Sequence, residues 1–283
     1  MRVKAIGDLA QLSDTELFEQ VAEGLKLCFS NAAVMLEDAE VLATRERARG
    51  AEILRQAAEE EASKILVLLD AVRCPRATNP DAFARQLQYF NDHLAKGIYV
   101  EVSRWRPANF AEVRKGVDRE RKEFYLDGPN DVDWIFYNDI LRRREEAIYV
   151  SYVENDGDHI WHDPNSYGKL GVISAPGHSP TMKIARSLSE AGLFSAAALA
   201  ELAFHWRAIE IEDAMRWMTL RSHNFSTLER LDRKGLLVEA SSDCYAVIAN
   251  EWPFPLYPLD LRKDLVKKDS LRAIQDQWGP YDV

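Results

Sequence analysis

The feature that most constrains the fold is a helical hydrophobic pattern that covers most of the first 72 residues. Apolar side chains recur at three- and four-residue spacing over residues 17–42 and again over residues 51–72, and each series marks one face of an α-helix. Ser13 stands three residues before Glu16, which is the capping-box pattern of a helix start. The pattern therefore predicts two long helices, of which the second covers roughly residues 46–72.

Helical patterns continue beyond Pro75, which ends the second helix. A third helix is predicted over residues 81–99, and most of the second half of the chain is also helical. The predicted helices there are residues 181–192, closed by Gly192; residues 196–222, capped by Ser195; and a helix ending at Gly235. The tail "EWPFPLYPLDL", residues 251–261, is too rich in proline for regular structure.

One stretch has a strand pattern instead. Residues 146–164, "EAIYVSYVENDGDHIWHDP", carry β-branched and aromatic residues on both sides of an Asn-Asp-Gly turn, which predicts a β-hairpin. His159 and His162 lie in it. Side chains three residues apart on a strand point to opposite faces, so no metal site is expected there.

Composition limits the environment and the ligands. No apolar run approaches the roughly 18 residues of a membrane span, and the N-terminus lacks the apolar core of a secretory signal. The three cysteines are far apart in the sequence and form neither a metal motif nor a disulfide framework, which fits a reducing cytoplasm. With a net charge of −10, the chain is expected to contact nucleic acid only through a local basic surface.

The second predicted helix has an unusual charged segment, "AAEEEASKILVLL", residues 57–69. On a helical wheel Glu61 falls inside the apolar stripe, Lys64 lies near its edge, and Glu60 can pair with Lys64 at i,i+4. A carboxylate in an apolar seam is costly unless it is paired. Two interpretations stay open: an internal ion pair that fixes helix register, or a polar cluster that lines a site between helices.

The third predicted helix offers partners for such a cluster. His93 and Lys96 are three residues apart in "FNDHLAKGIY" and share a face with Tyr89. A lone histidine beside an apolar stripe is more often structural. If this helix packs near the second one, His93 and Lys96 would form a compact polar centre with Glu61 and Lys64.

Four segments in this order resemble a known family: "FSNAAVMLEDAEVLA", "AAEEEASKILVLL", "FNDHLAKGIY" and "EAIYVSYVENDGDHIWHDP". Together they are similar to the abortive-infection family AbiV, a member of the HEPN-like helical superfamily. A Glu-Glu-x-x-Lys element matches Glu60, Glu61 and Lys64, and a His-x-x-Lys element matches His93 and Lys96. The hairpin segment also resembles the part that follows the family's helical core.

The resemblance covers roughly residues 20–200 and implies a mainly α fold. We expect a HEPN-like antiparallel bundle of four or five helices, with a basic segment and a small β-hairpin insertion, in residues 1–175. A helical C-terminal region with the proline-rich tail follows in residues 176–283. The resemblance also implies bacterial phage defence and a homodimer.

Many members of the wider superfamily are metal-independent ribonucleases, marked by an arginine followed after four to six residues by a histidine. In them the histidine handles the 2′-hydroxyl proton and the arginine steadies the scissile phosphate. Here no arginine stands at that distance before His93, and Arg85 is one residue too far away. Arg216 and His223 do match the spacing, and i,i+7 would place them on one helix face. The alternative is an ordinary solvated helix end.

A basic segment, residues 104–122, is the candidate RNA surface. Its arginines and lysine could bind the phosphate backbone, with a tryptophan available to stack on a base. A solvated helix face with internal ion pairs is the alternative. The candidate contact residues are Arg104, Trp105, Arg106, Arg114, Lys115 and Arg119.

A different function, DNA binding, is suggested by the segment "STLERLDRKGLLVEASSDCYAVI". It has the pattern of a recognition helix followed by a two-stranded wing, with Arg230, Arg233 and Lys234 facing DNA phosphates. The acidic residues on the same stretch oppose this interpretation.

Together with the cysteine usage, the resemblance to AbiV implies a cytoplasmic abortive-infection effector, which we expect to arrest translation. In the enzymatic hypothesis it cleaves RNA without metal or cofactor and leaves a cyclic phosphate. In the non-enzymatic hypothesis it binds a phage protein or the translation machinery and blocks it. A winged-helix DNA-binding regulator is the remaining alternative. No membrane partner is expected.

Overall fold

The computed structural model describes residues 5–122, 124–125, 136–155, 158–164 and 179–265, and this part of the chain is mainly helical, as the sequence predicts. Short 3₁₀ turns cover Ala5–Gln11 and Tyr89–Asn91. The α-helices are α1 Asp14–Thr44, α2 Ala48–Arg73, α3 Pro80–Gln88, α4 His93–Arg104, α5 Phe110–Glu120, α6 Asp139–Glu146, α7 Pro180–Glu190, α8 Ala196–Trp206, α9 Trp217–Arg233 and α10 Ser242–Glu251. The strands are β1 Phe124–Tyr125, β2 Phe136–Tyr137, β3 Ser151–Asn155 and β4 Asp158–His162.

The two opening helices form as predicted and pack against each other along their lengths. Ser13 caps α1, and its side chain and that of Glu16 form both hydrogen bonds of the capping box. The chain reverses after α1 through Glu46, which has a left-handed φ of 58°, and for that reason α2 starts at Ala48 rather than at residue 46. The apolar faces of both helices are buried, which makes this pair the centre of the core.

The predicted third helix is broken into two. α3 ends at Gln88, and α4 begins at His93 because the Asp92 side chain accepts a hydrogen bond, 2.8 Å long, from the Ala95 amide. An aspartate at this position favours a helix start over a helix interior. The prediction of one continuous helix was therefore wrong, and the break makes His93 the first residue of α4.

The helices of the second half agree with the sequence at their caps but not in their lengths. α7 ends before Gly192, whose φ is 87°, and Ser195 caps α8. The predicted helix 196–222 is interrupted after Trp206, and α9 begins only at Trp217. The connection between them contains turns, and its last residues pair with the backbone at the start of α5, through hydrogen bonds such as Trp217 N–H to Ala108 O, 2.9 Å.

The hairpin is confirmed, whereas the winged-helix interpretation is wrong. β3 and β4 pair antiparallel with Tyr152 opposite Trp161, and the turn residues 156–157 lie outside the described residues. After α9 the chain forms helix α10 where a two-stranded wing was expected. Arg230 and Lys234 both form ion pairs with Glu201 of α8, so they are not free to meet DNA phosphates.

The proline-rich tail has no regular structure, as predicted, yet it belongs to the core. Its residues from Trp252 to Tyr257 are all buried, as are Leu259 and Leu261. One continuous cluster of buried apolar side chains includes residues from both sides of the expected domain boundary at 175. Among the described residues, no helix combines the length and the apolar character that crossing a membrane requires.

A buried polar network attaches this tail to the opening helices. Asp70 on α2 is fully buried and accepts hydrogen bonds from the Arg73 side chain, from the Tyr99 hydroxyl at 2.6 Å and from the Leu256 amide at 2.6 Å. The Arg73 guanidinium also donates to the carbonyl of Pro253, at 3.3 Å. Its plane lies over two tryptophan rings, those of Trp206 and Trp252, with centroid distances of 4.8 and 4.3 Å.

We predict that Arg73→Met strongly destabilises the protein. The substitution leaves Asp70 buried without its charged partner, and breaking a buried pair costs about 3–5 kcal/mol. Urea unfolding followed by circular dichroism measures the loss. Arg114→Met is the matched control, since Arg114 pairs with Asp213 at the surface, where the expected cost is about 0–1 kcal/mol. Equal losses in the two variants would contradict the structural role assigned to the buried pair.

Candidate functional site

A cluster of charged side chains forms where α2, α4 and α6 meet, and Glu60 on α2 is its centre. One carboxylate oxygen of Glu60 lies 2.7 Å from His93 Nδ1 and 2.9 Å from Lys96 Nζ. The other oxygen lies 3.1 Å from Arg144 Nε. Three cationic or hydrogen-bonding groups from two other helices thus converge on one carboxylate. We call Glu60, His93, Lys96 and Arg144 the Glu60 cluster.

Local sequence explains how each helix presents its member. Asp92 starts α4 so that His93 and Lys96, three residues apart, face α2 together. The next residue, Gly97, has no side chain, and a Cβ there would lie 2.2 Å from Ile140 Cγ2. The glycine therefore lets α6 approach α4 closely, and this approach brings Arg144 to Glu60.

Glu60 is ionised at neutral pH in this setting. Burial alone would raise the pKa of its carboxyl, but the hydrogen bonds and positive charges of Lys96 and His93 outweigh burial and lower it. An ionised carboxylate only accepts hydrogen bonds, so Nδ1 of His93 carries the hydrogen. The second ring nitrogen, Nε2, remains to meet another molecule.

The members differ in their access to solvent. The side chain of Lys96 is only 7% exposed, whereas those of His93 and Arg144 are 46% and 36% exposed. A ligand can therefore reach the imidazole and the guanidinium but not the ammonium group. Lys96 acts as the buried counter-charge of Glu60, and the accessible chemistry belongs to His93 and Arg144.

The other predicted members of this site, Glu61 and Lys64, form a separate pair. They are 2.6 Å apart, and Lys64 lies over the Phe90 ring at 4.9 Å. Glu61 faces α1, where it forms a hydrogen bond with Cys28, and burial together with that carboxylate raises the pKa of the Cys28 thiol to about 12. The expected Glu60–Lys64 pair is replaced by Glu61–Lys64, since Glu60 turns toward α4.

Arg216 and His223 do not share a helix face, so the expected i,i+7 arrangement was wrong. Arg216 is exposed and precedes the first helical residue of α9, with extended backbone that pairs with Asn109. His223 packs against the rings of His205 and Trp206, each with a centroid distance of 5.9 Å. Burial lowers the pKa of both histidines.

The basic segment is largely neutralised by nearby carboxylates. Trp105 lies against Gly116, where an added Cβ would be 2.5 Å from its ring, so this face of the indole is occupied by α5. Lys115 is exposed. The arginines form ion pairs as follows: Arg104 with Glu59 and Glu101, Arg106 with Glu251, Arg114 with Asp213, and Arg119 with Glu120. This arrangement favours the alternative of a solvated face with internal pairs.

Sequence reasoning missed Arg144. The run Arg142–Arg144 followed by two glutamates suggests a charged helix surface, and Arg142 and Arg143 do pair with Asp139 of the same helix. The docking of α6 on α4 pairs Arg143 with Glu101 as well, and it brings the third arginine to Glu60. The signal that could have found it is the glycine beside the His-x-x-Lys element. Among the described residues, no group of histidine, cysteine and acidic side chains could hold a metal ion.

Comparison with known proteins identifies the family. A family model for AbiV, of the HEPN type, matches residues 20–169, just over half of the chain. The chain therefore belongs to the AbiV family, which supports a role in abortive infection and antiphage defence. The matched range contains the whole Glu60 cluster and excludes Arg216 and His223. Neither the curated proteins nor the solved structures contain a match to the chain.

We predict that Glu60 makes stability dependent on acid pH. Its pKa is lower in the folded than in the unfolded chain, so its stabilisation is complete above the ordinary glutamate value of roughly 4.3 and is lost as pH falls through the folded pKa. Glu60→Gln should therefore cost about 1–3 kcal/mol at pH 7, and the difference from wild type should shrink toward pH 3. Urea unfolding at several pH values measures it.

Glu19→Gln, at an exposed position of α1, is the control for removing a surface carboxylate. A gap between wild type and Glu60→Gln that stayed constant from pH 7 to pH 3, or that matched the control, would contradict the prediction.

Proposed function

We propose that this protein is an antiphage abortive-infection effector of the bacterial cytoplasm that arrests translation by cleaving RNA without a metal ion. Membership of the AbiV family supports the defence role. The observation that carries the chemistry is the convergence of an accessible histidine and an accessible arginine on Glu60. A homodimer is part of this proposal.

Arg144 supplies the arginine that the sequence lacks before His93. The two residues are 51 positions apart, yet they contact opposite oxygens of the same carboxylate. The nitrogen atoms that contact Glu60 are therefore separated by at most two hydrogen bonds and the width of one carboxylate. We propose that one phosphodiester bridges the outward ring nitrogen of His93 and the terminal N–H groups of Arg144.

His93 is the proposed general base. Glu60 holds Nδ1–H and so orients Nε2 outward, as a carboxylate orients the imidazole of a catalytic triad. Nε2 takes the proton of the ribose 2′-hydroxyl while the 2′ oxygen attacks phosphorus. The P–O5′ bond breaks, the 5′ oxygen takes a proton from water, and the proton held on Nε2 returns to the solvent. The products are a 2′,3′-cyclic phosphate and a 5′-hydroxyl end.

Arg144 is the proposed phosphate ligand. A guanidinium has five N–H donors, and Nε of Arg144 lies 3.1 Å from Glu60. The remaining donors can stabilise the charge that develops on the phosphoryl oxygens. Lys96 is too buried to touch substrate and instead keeps Glu60 ionised.

We predict that the purified protein cleaves cellular RNA in the presence of EDTA and that His93→Ala and Arg144→Ala lose at least about 100-fold in rate, which is the usual range for a general base or an electrostatic contact. Arg144→Lys keeps the charge but not the planar fork, so partial activity is expected. Gel analysis gives the rate, and end labelling identifies the cyclic phosphate.

The control is His223→Ala, because His223 lies outside the cluster beside His205. Full RNA cleavage by His223→Ala, together with loss of cleavage in His93→Ala, would identify His93 as the general base. If both histidine variants cleave RNA as fast as the wild type, the Glu60 cluster is not the catalytic site.

A second candidate function is a non-catalytic block of the translation machinery or of a phage protein. The observation in its favour is an exposed apolar surface around the hairpin, formed by Tyr149, Val150, Tyr152 and Trp161. Surfaces of this kind often mark protein interaction sites. Translation arrest that persists in His93→Ala, but is lost in Tyr152→Ala with Trp161→Ala, would favour this function over cleavage.

A further inference from the structure

The outer face of α1 carries a regular row of exposed apolar side chains. Leu27, Val34 and Val41 are 63%, 51% and 50% exposed, although they belong to the helix that forms the centre of the core. They are seven residues apart, a spacing that returns to the same helix face within about 20°. They therefore form a straight stripe, roughly 21 Å long.

This stripe is symmetric about its middle residue. Leu27 lies seven residues before Val34, and Val41 lies seven residues after it. When the helix is reversed about Val34, the position of Leu27 falls on that of Val41. Such a face is complementary to a second copy of itself in antiparallel orientation, which is the condition for a two-fold interface.

We infer that α1 pairs antiparallel with α1 of a second copy of this chain, with the two-fold axis at Val34. The Val34 side chains of the two copies meet at the axis, and Leu27 of each copy packs on Val41 of the other. The outer face of α1 carries no member of the Glu60 cluster, so this inference does not depend on the proposed ribonuclease activity.

The polar residues beside the stripe favour the same register. Ser30 and Asn31 precede Val34 by four and three residues, and Glu37 and Asp38 follow it by the same steps. All four are exposed. In the antiparallel pair, the hydroxyl and amide groups of one copy lie beside the carboxylates of the other, to which they can donate hydrogen bonds.

Charges at the ends of the stripe are also complementary. Glu23 and Arg45 are both exposed and are each eleven residues from Val34. The antiparallel register places Glu23 of one copy near Arg45 of the other, and does so twice. In a parallel pair the acidic residues Glu37 and Asp38 would instead face their own copies, which is repulsive.

The expected dimer is modest in strength. Residues 23–44 of α1 form roughly 33 Å of helix, and one helix face of this length gives an interface near the lower end of the specific range, about 1,200 Å² in total. We therefore expect a dissociation constant on the order of micromolar. Sedimentation velocity across that concentration range should show a reversible monomer–dimer equilibrium.

Val34→Asp should weaken dimerisation at least about tenfold, since it places two carboxylates at the axis. Glu40→Lys, at an exposed position of α1 turned away from the stripe, changes charge on the same helix and should leave the equilibrium close to that of wild type. The Val34 side chain is exposed, so both variants should keep the wild-type circular dichroism spectrum.

Cysteine cross-linking tests the register. Val34→Cys should form an intersubunit disulfide on mild oxidation, because the two side chains meet at the axis. Leu27→Cys alone should not, whereas Leu27→Cys combined with Val41→Cys should. Glu40→Cys is the control for random collision, and the native cysteines are buried. The inference would be overturned if Leu27→Cys alone formed the disulfide, or if Glu40→Cys cross-linked as much as Val34→Cys. It would also be overturned if the protein stayed monomeric at every concentration, in which case the stripe would be left for a different protein.

Discussion

The buried interaction between Asp70 and Arg73 holds together parts of the molecule that are far apart in sequence. Asp70 accepts hydrogen bonds from its own helix, from Tyr99 of α4 and from the backbone of the C-terminal tail. Arg73 reaches the tail carbonyl of Pro253 and stacks on Trp206 and Trp252. Because an unpaired charge at this depth is strongly unfavourable, the tail and α4 have essentially one arrangement around α2.

This constraint extends to the candidate site. α2 and α4 run in the same direction, since Glu60 contacts His93 while Asp70, ten residues later, contacts Tyr99. The buried network fixes one end of the α2–α4 contact, and the Glu60 cluster forms at the other end. The geometry of the cluster therefore depends on the core and is not set by the four cluster residues alone.

Sequence patterns predict the structural features that depend only on residues a few positions apart in the sequence. The capping box at Ser13 and the hairpin around residues 156–157 are local, and both were predicted. The start of α4 was missed because the Asp92 cap competes with an apolar pattern that continues through it. Glu61 was placed at the site because a helical wheel gives the angle of a side chain but not which helix lies on that side. In the structure α1 lies beside Glu61, and α4 lies beside Glu60.

Arg144 could not be predicted for a related reason, because the sequence does not show that α6 packs on α4. An arginine–histidine pair in one helix requires a fixed spacing, but the same pair can form from two helices if a third group aligns them. Glu60 provides that alignment here. The charge of Lys96 offsets the energetic cost of keeping this largely buried carboxylate ionised. The four members also differ in exposure: the side chains of Glu60 and Lys96 are 18% and 7% exposed, whereas those of His93 and Arg144 are 46% and 36% exposed. A search for the superfamily's sequence spacing alone would find Arg216, which precedes the first helical residue of α9, and His223, which packs against His205 and Trp206. It would miss the arginine and the histidine that meet at Glu60.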